Sequence, residues 1–160
     1  ADLVRPGVGA KIEPLLADMT AWYGAHWAVK SRPYAGITGM LERLAAAGIP
    51  TAVLSNKVHE FTVEMVEHFF PGSPFVRVKG MKDGVPAKPH PDGALEIAAH
   101  MGIAPAELGF VGDTRVDMLT AGAAGMRPIG VTWGFRPRQE LLEHGAAVLL
   151  ERPEDIFSCL

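Results

Sequence analysis

The sequence predicts an open α/β sheet, mostly parallel, with helices on both faces. Three observations predict it. From Gly36 onward, stretches with helical spacing of apolar residues alternate with short apolar runs. A glycine stands at most of the junctions. The composition, 48% apolar and 21% charged over 160 residues, is that of a soluble globular chain able to bury a core without staples. Short strands alternating with helices imply parallel pairing through right-handed crossovers.

Taken in order, Ile12, Leu15, Leu16, Met19 and Trp22 or Tyr23 mark an amphipathic helix with no strand nearby, and SRPYAG follows as a connector. Ile37, Met40, Leu41 and Leu44 fall at i, i+3, i+4 and i+7, and Gly48 supplies a left-handed stop before the strand IPTAVL. Val58, Phe61, Met65, Val66 and Phe69 form the next helical face, halted by Pro71-Gly72 ahead of FVRVKG. Pro91 suits a first helical turn, Leu95 and Ala98 continue it, and Gly102 ends it before LGFVGD. Residues 115 to 124 make a helix that stops at Gly125 before PIGVTW. Leu141 and Leu142 precede Gly145 and AAVLL, and a brief last helix covers 153 to 159.

Several functions are disfavoured at once. A formal net charge of -3 leaves no basic stripe for a nucleic-acid partner. No apolar run is long enough to cross a bilayer, and ADLVRPGVG lacks the hydrophobic core of a signal peptide. The single Cys159 cannot form an internal disulfide, which favours a reducing compartment, so cytoplasm is the default expectation. The first residue is Ala1 rather than Met, which reads as a processed protein, a trimmed chain or a fragment.

In open α/β sheets ligands sit beyond the carboxyl ends of the strands, so the residues just after each strand carry the functional expectation. After one strand comes GDTRVD, with Asp113 and Asp117 four residues apart. Two carboxylates there suit Mg²⁺, which takes a few carboxylates plus water and substrate phosphate; equally, Asp113 could cap the next helix while Asp117 faces solvent. After another comes LSNK, residues 54 to 57, whose hydroxyl and backbone amides suit phosphoryl oxygens, although a serine there is often only an N-cap. In AKPHP the two prolines stiffen the loop around Lys88, which could neutralise phosphate or remain a surface charge. The six histidines show no metal-ligand spacing, and the methionines at helical spacing read as core. Trp133-Gly134-Phe135 either borders the crevice or packs beneath it, and Asp83-Gly84 is a turn signal. Three weak signals at three successive strand ends, each suited to one phosphate and one cation, point together to phosphoryl chemistry.

With LSNK, AKPHP and GDTRVDM in this order, the sequence resembles the haloacid dehalogenase-like hydrolases, specifically the phosphoglycolate phosphatase-like branch, from about Arg5 to the end. The resemblance implies a Rossmann-like sheet. It maps the phosphate-binding strand-end residue onto Ser55 with Asn56 beside it, the lysine of the third motif onto Lys88, and the Mg²⁺-holding acidic pair onto Asp113 and Asp117. It also implies that SRPYAG is the hinge of a helical cap, giving a partial cap at 1–35 and an α/β hydrolase core at 36–160. The family's opening strand bears Asp-x-Asp, whose first Asp attacks phosphorus, and no Asp-x-Asp occurs in this sequence. That strand is expected between those ending at Ser55 and Asp113, so the core lacks its first strand and two unpaired edges should face a gap.

The implied function is Mg²⁺-dependent hydrolysis of a small phosphorylated metabolite, phosphoglycolate-like, through an aspartyl phosphate whose nucleophile lies outside this sequence. Ser55, Lys88, Asp113 and Asp117 would be its catalytic residues here, and Ser55, Asn56 and Lys88 its phosphate ligands. A homodimer, or a segment completing the sheet, would be the protein partner. The alternatives are a phosphatase of another sugar phosphate or phosphonate, and a catalytically inactive phosphate-binding or interaction module.

Overall fold

The computed structural model describes residues 9–72 and 74–160. They fall into two units, one ending at Arg32 and the other spanning Pro33–Leu160. The first carries α1 (Gly9–Lys30), longer than the periodicity alone marks out. Ile12, Leu15, Leu16, Met19 and Trp22 on it are exposed. Near its end Trp22 stacks on His26, whose ring nitrogen also meets the Trp22 carbonyl at 2.7 Å.

The second unit follows the predicted alternation. Its order is α2 (Ile37–Ala46), β1 (Thr51–Val58), α3 (His59–Phe69), β2 (Phe75–Met81), α4 (Asp92–Met101), β3 (Gly109–Gly112), α5 (Arg115–Ala123), β4 (Arg127–Val131), α6 (Arg138–Glu143) and β5 (Val148–Leu150). Short 3₁₀ turns at Pro105–Glu107 and Pro153–Ser158 complete it. The second of these lies where the brief last helix was expected. Gly102 ends α4 with φ 66°, the left-handed conformation that makes a glycine stop effective.

Every strand pairing is parallel, but the strands form two sheets, β1-β2 and β3-β4-β5. Among the described residues β1 pairs with β2 alone and β3 with β4 alone, and no ladder joins β1 to β3. The consequence shows in burial: on β4, flanked on both sides, Ile129 and Val131 are 3% and 6% exposed, whereas Val111 on β3 is 47% exposed.

Helices hold the two sheets together. Ala94 and Ala98 of α4 pack with Ala121 of α5, Ala124 and Met126, and Leu54 of β1 and Leu108 and Phe110 at β3 close over them. One cluster of mostly small side chains from α4 and α5 thus ties β1 to β3 without a shared ladder. Around β4, Ile129 and Val131 pack with Leu150 and Ile156, bordered by Met40 of α2. The other face of β4 meets α6: a Cβ on Gly130 would press on Leu141, which is fully buried. Helices thus cover both faces of this sheet. Among the described residues no helix is long and apolar enough to cross a membrane.

Candidate active site

β1 departs from the sequence reading in a way that shapes the site. The apolar run predicts a strand ending at Leu54, but β1 continues through Ser55, Asn56 and Lys57 to Val58. Its register with β2 breaks between Leu54↔Lys79 and Val58↔Met81, so four steps along β1 span two along β2. Such an irregularity lifts residues off the ladder and re-aims their side chains. Ser55 and Asn56 sit on this bulged stretch. Ser55 does not cap α3, whose N-cap position is Val58; its hydroxyl oxygen accepts the Lys57 N–H at 3.1 Å, and its own proton remains available to donate.

The loop after β2 brings Lys88 beside this stretch. Lys88 and Ser55 line one small cleft of about 20 Å³, together with Leu54, Asn56 and His90. The Lys88 ammonium donates to the Leu54 carbonyl at 3.1 Å and to Asp117 Oδ1 at 2.7 Å, and it lies 5.7 Å from the centre of the Phe110 ring. Lys88 therefore bridges β1 and α5, the helix that follows β3. Its side chain is 13% exposed and that of Asp117 is 9% exposed.

Asp117 is buried because α5 starts with it inside. Thr114, the extended N-cap residue, donates both its backbone N–H (3.1 Å) and its hydroxyl (2.8 Å) to Asp117 Oδ2. A carboxylate in the first turn satisfies one of the orphan N–H groups that a helix start leaves. Gly112 makes room for it, since a Cβ there would collide with the Asp117 side chain. Of the two readings open for Asp117 in the sequence, exposure to solvent is excluded. Both its oxygens are engaged, one by Lys88 and one by Thr114.

Asp113 leaves the end of β3 and turns toward the loop after β4. Its Oδ2 accepts the Phe135 N–H at 2.8 Å, and a Cβ on Gly134 would strike its carboxyl group. Trp133-Gly134-Phe135 thus does both things the sequence left open. Trp133 packs on the cluster around β4, while Phe135 presents its N–H to Asp113 and its ring outward, 84% exposed. Asp113 does not cap α5; Thr114 takes that position.

Asn56 takes an unexpected role in this geometry. Its Nδ2 donates to the Lys88 carbonyl and its Oδ1 accepts the Lys88 N–H, each at 2.8 Å. The side chain is thereby tied to the loop that carries Lys88. Sequence reasoning passed over Thr114, Gly112, the Leu54 carbonyl and the Phe135 N–H. Thr114-x-x-Asp117 is a capping-box pattern and could have been found by it. Backbone groups such as the Leu54 carbonyl carry no side-chain signal.

The donor set is hard oxygen. Among the described residues no group of three or more His, Cys, Asp or Glu side chains could hold a metal ion. Two carboxylates at one rim, one of them tied to Lys88 and Thr114, do not form an all-protein cage. They fit Mg²⁺, which keeps waters and is commonly held by one or two carboxylates plus substrate phosphate.

An open parallel α/β core with the Lys88–Asp117 pair, and with Asp113 just after β3, is the class of fold that places ligands beyond its strand ends. Comparison with known proteins narrows it. Residues 8–131 match the haloacid dehalogenase-like hydrolase family model. The chain is 35% identical over 124 residues to the phosphoglycolate phosphatase of Escherichia coli K12, 78% of this chain and 46% of that protein. It is 34% identical over 117 residues to the phosphoglycolate phosphatase of Pectobacterium atrosepticum, 73% of this chain and 47% of that protein. Among solved structures, a Lactobacillus delbrueckii subsp. bulgaricus protein provisionally described as a phosphoglycolate phosphatase superposes with a TM-score of 0.86 at 32% identity, covering 94% of this chain and 62% of that one. The chain belongs to the haloacid dehalogenase-like hydrolase family. It spans about half the length of the curated relatives it matches.

Proposed function

We propose that this chain is the larger part of the phosphate- and metal-handling face of a phosphatase acting on a small phosphomonoester of the phosphoglycolate kind. The observation that carries the reading is the Lys88 ammonium held between the Asp117 carboxylate and the Leu54 carbonyl beside Ser55, at the strand ends of a haloacid dehalogenase-like core. Lys88, fixed and largely buried, offers a positive charge where charge develops on the transferring phosphoryl oxygens. Ser55 has a hydroxyl proton to donate to the same oxygens. Asp113, and Asp117 beside it, would hold Mg²⁺, which when bound neutralises phosphoryl charge. Asp117 also keeps Lys88 in place, so it serves the anion side and the cation side together.

The nucleophile is an aspartate from outside this sequence, carried on a segment that would enter between β1 and β3. The open sides of those two strands support this, because each has backbone donors and acceptors that a further parallel strand would satisfy. The same segment carried by a second copy of the complete protein would serve equally, which makes a homodimer the other route to a complete sheet.

The test is phosphate release by the complete protein from phosphoglycolate, from a panel of sugar phosphates and phosphonates, and from an aryl phosphate, with and without Mg²⁺. Asp113→Asn should lower Mg²⁺-dependent kcat by at least about 10²-fold, as removal of a directly charge-stabilising group does. Unchanged turnover in that variant would remove Asp113 from the metal site. Chain 1–160 alone should release no phosphate; release would place a nucleophile among its own side chains. Binding of phosphate and Mg²⁺ by the complete protein with no turnover on any substrate would favour an inactive binding module instead, the reading that the lack of an Asp-x-Asp in this sequence supports.

A further inference from the structure

We propose that Asn56 is the positioning residue for Lys88: its side-chain amide grips the backbone of that one residue from both sides and thereby sets where the ammonium is delivered. Asn56 is 32 positions away in the chain, yet its Oδ1 accepts the Lys88 N–H and its Nδ2 donates to the Lys88 carbonyl, both at 2.8 Å. An amide side chain has one acceptor end and one donor end, so it matches the acceptor and donor of a single peptide residue as a neighbouring strand would. Lys88 lies in a loop with no ladder of its own, between β2 and α4. The broken β1 register is what lets a side chain from the strand reach it.

The two halves of Lys88 are then held independently. Its backbone is held by Asn56 and its ammonium by the Leu54 carbonyl and Asp117. A lysine has four rotatable side-chain bonds, and the ammonium end alone would leave the loop free to drift around it. Clamping the backbone removes that freedom before substrate arrives, which is the preorganisation that electrostatic catalysis needs. Each end of the Asn56 amide thus makes one hydrogen bond to the backbone of Lys88. The catalytic meaning rests on the proposed phosphatase reading; the clamp itself rests on geometry alone.

The experiment separates the two. Chain 1–160 is treated with a limiting dose of a water-soluble acetylating ester, and the modification rate of each lysine is read by peptide mass spectrometry. Lys79 is the internal control: its side chain is also 13% exposed, and it is paired with Glu96 rather than touched by Asn56. Asn56→Ala should raise the Lys88/Lys79 rate ratio by about tenfold, the factor that corresponds to the net worth of two hydrogen bonds. Asn56→Asp keeps an acceptor but loses the donor, so it should give a smaller rise; it carries the test if Asn56→Ala does not fold. General loosening would raise both lysines together. An unchanged ratio in the folded variants overturns the clamp.

In the complete protein Asn56→Ala should lower kcat about tenfold with KM for the phosphomonoester moving less than about twofold. A raised KM with kcat retained would overturn the positioning role in favour of direct substrate binding. Absence of turnover in the unsubstituted complete protein would defeat the phosphatase reading and leave the labelling result to decide the clamp.

Discussion

The Lys88–Asp117 pair is the contact on which the site's geometry depends, and a double-mutant cycle measures it. The pair is 2.7 Å long, with side chains 13% and 9% exposed, so little solvent screens it. Removing one partner of such a pair costs up to about 3–5 kcal/mol, because the other is left charged and unpaired. Lys88→Met should lie below that range, at about 2 kcal/mol, since Asp117 keeps both Thr114 donors. Asp117→Asn should cost about 3 kcal/mol, because the ammonium then retains only the Leu54 carbonyl. In the double variant no orphaned charge remains, so its loss should be about 3 kcal/mol, leaving a coupling of about 2 kcal/mol. Urea unfolding of chain 1–160 at neutral pH, followed by far-UV circular dichroism and tryptophan fluorescence, gives each value. Additivity of the two single variants within about 0.5 kcal/mol would refute the argument that these groups depend on one another.

Other perturbations probe separate parts of the molecule. Gly134→Ala forces a Cβ into the Asp113 carboxyl group and should weaken Mg²⁺ binding by the complete protein about tenfold or more, measured by calorimetry; unaltered affinity would mean Asp113 is not a ligand. Leu141→Ala removes a fully buried side chain between α6 and β4 and should cost about 2–5 kcal/mol in the same urea assay, with a loss under about 1 kcal/mol contradicting the packing described. The hydrogen bond from Lys79 to Glu96 holds that carboxyl below its ordinary value near 4.5, against a smaller opposing effect of burial, with Arg77 adding to the lowering. A lowered folded value means the stabilisation is present above the unfolded value and fades as pH falls through the folded one. The stability gap between the unsubstituted chain and Glu96→Gln should therefore be measurable at neutral pH and vanish in acid; an equal gap at both would refute the assignment.

The sequence by itself determined the alternation of helices and strands from Gly36 onward and the position of Asp113 just after β3. Those features are local: apolar residues at i, i+3, i+4 and i+7 define a helical face whatever surrounds them, and Gly48, Gly102 and Gly125 stop helices through their own backbone freedom. Tertiary structure decided which of these residues meet. Lys88 finds Asp117 29 positions away, Leu54 34 away and Asn56 32 away, and no local pattern encodes those distances. The continuation of β1 past Leu54 was illegible for the same reason, since a bulge exists only relative to the partner strand β2. That Asp117 is a buried partner of both Lys88 and Thr114 was likewise decided by tertiary structure, because the Lys88 loop reaches the start of α5 only once β1 and the elements around β3 are packed together.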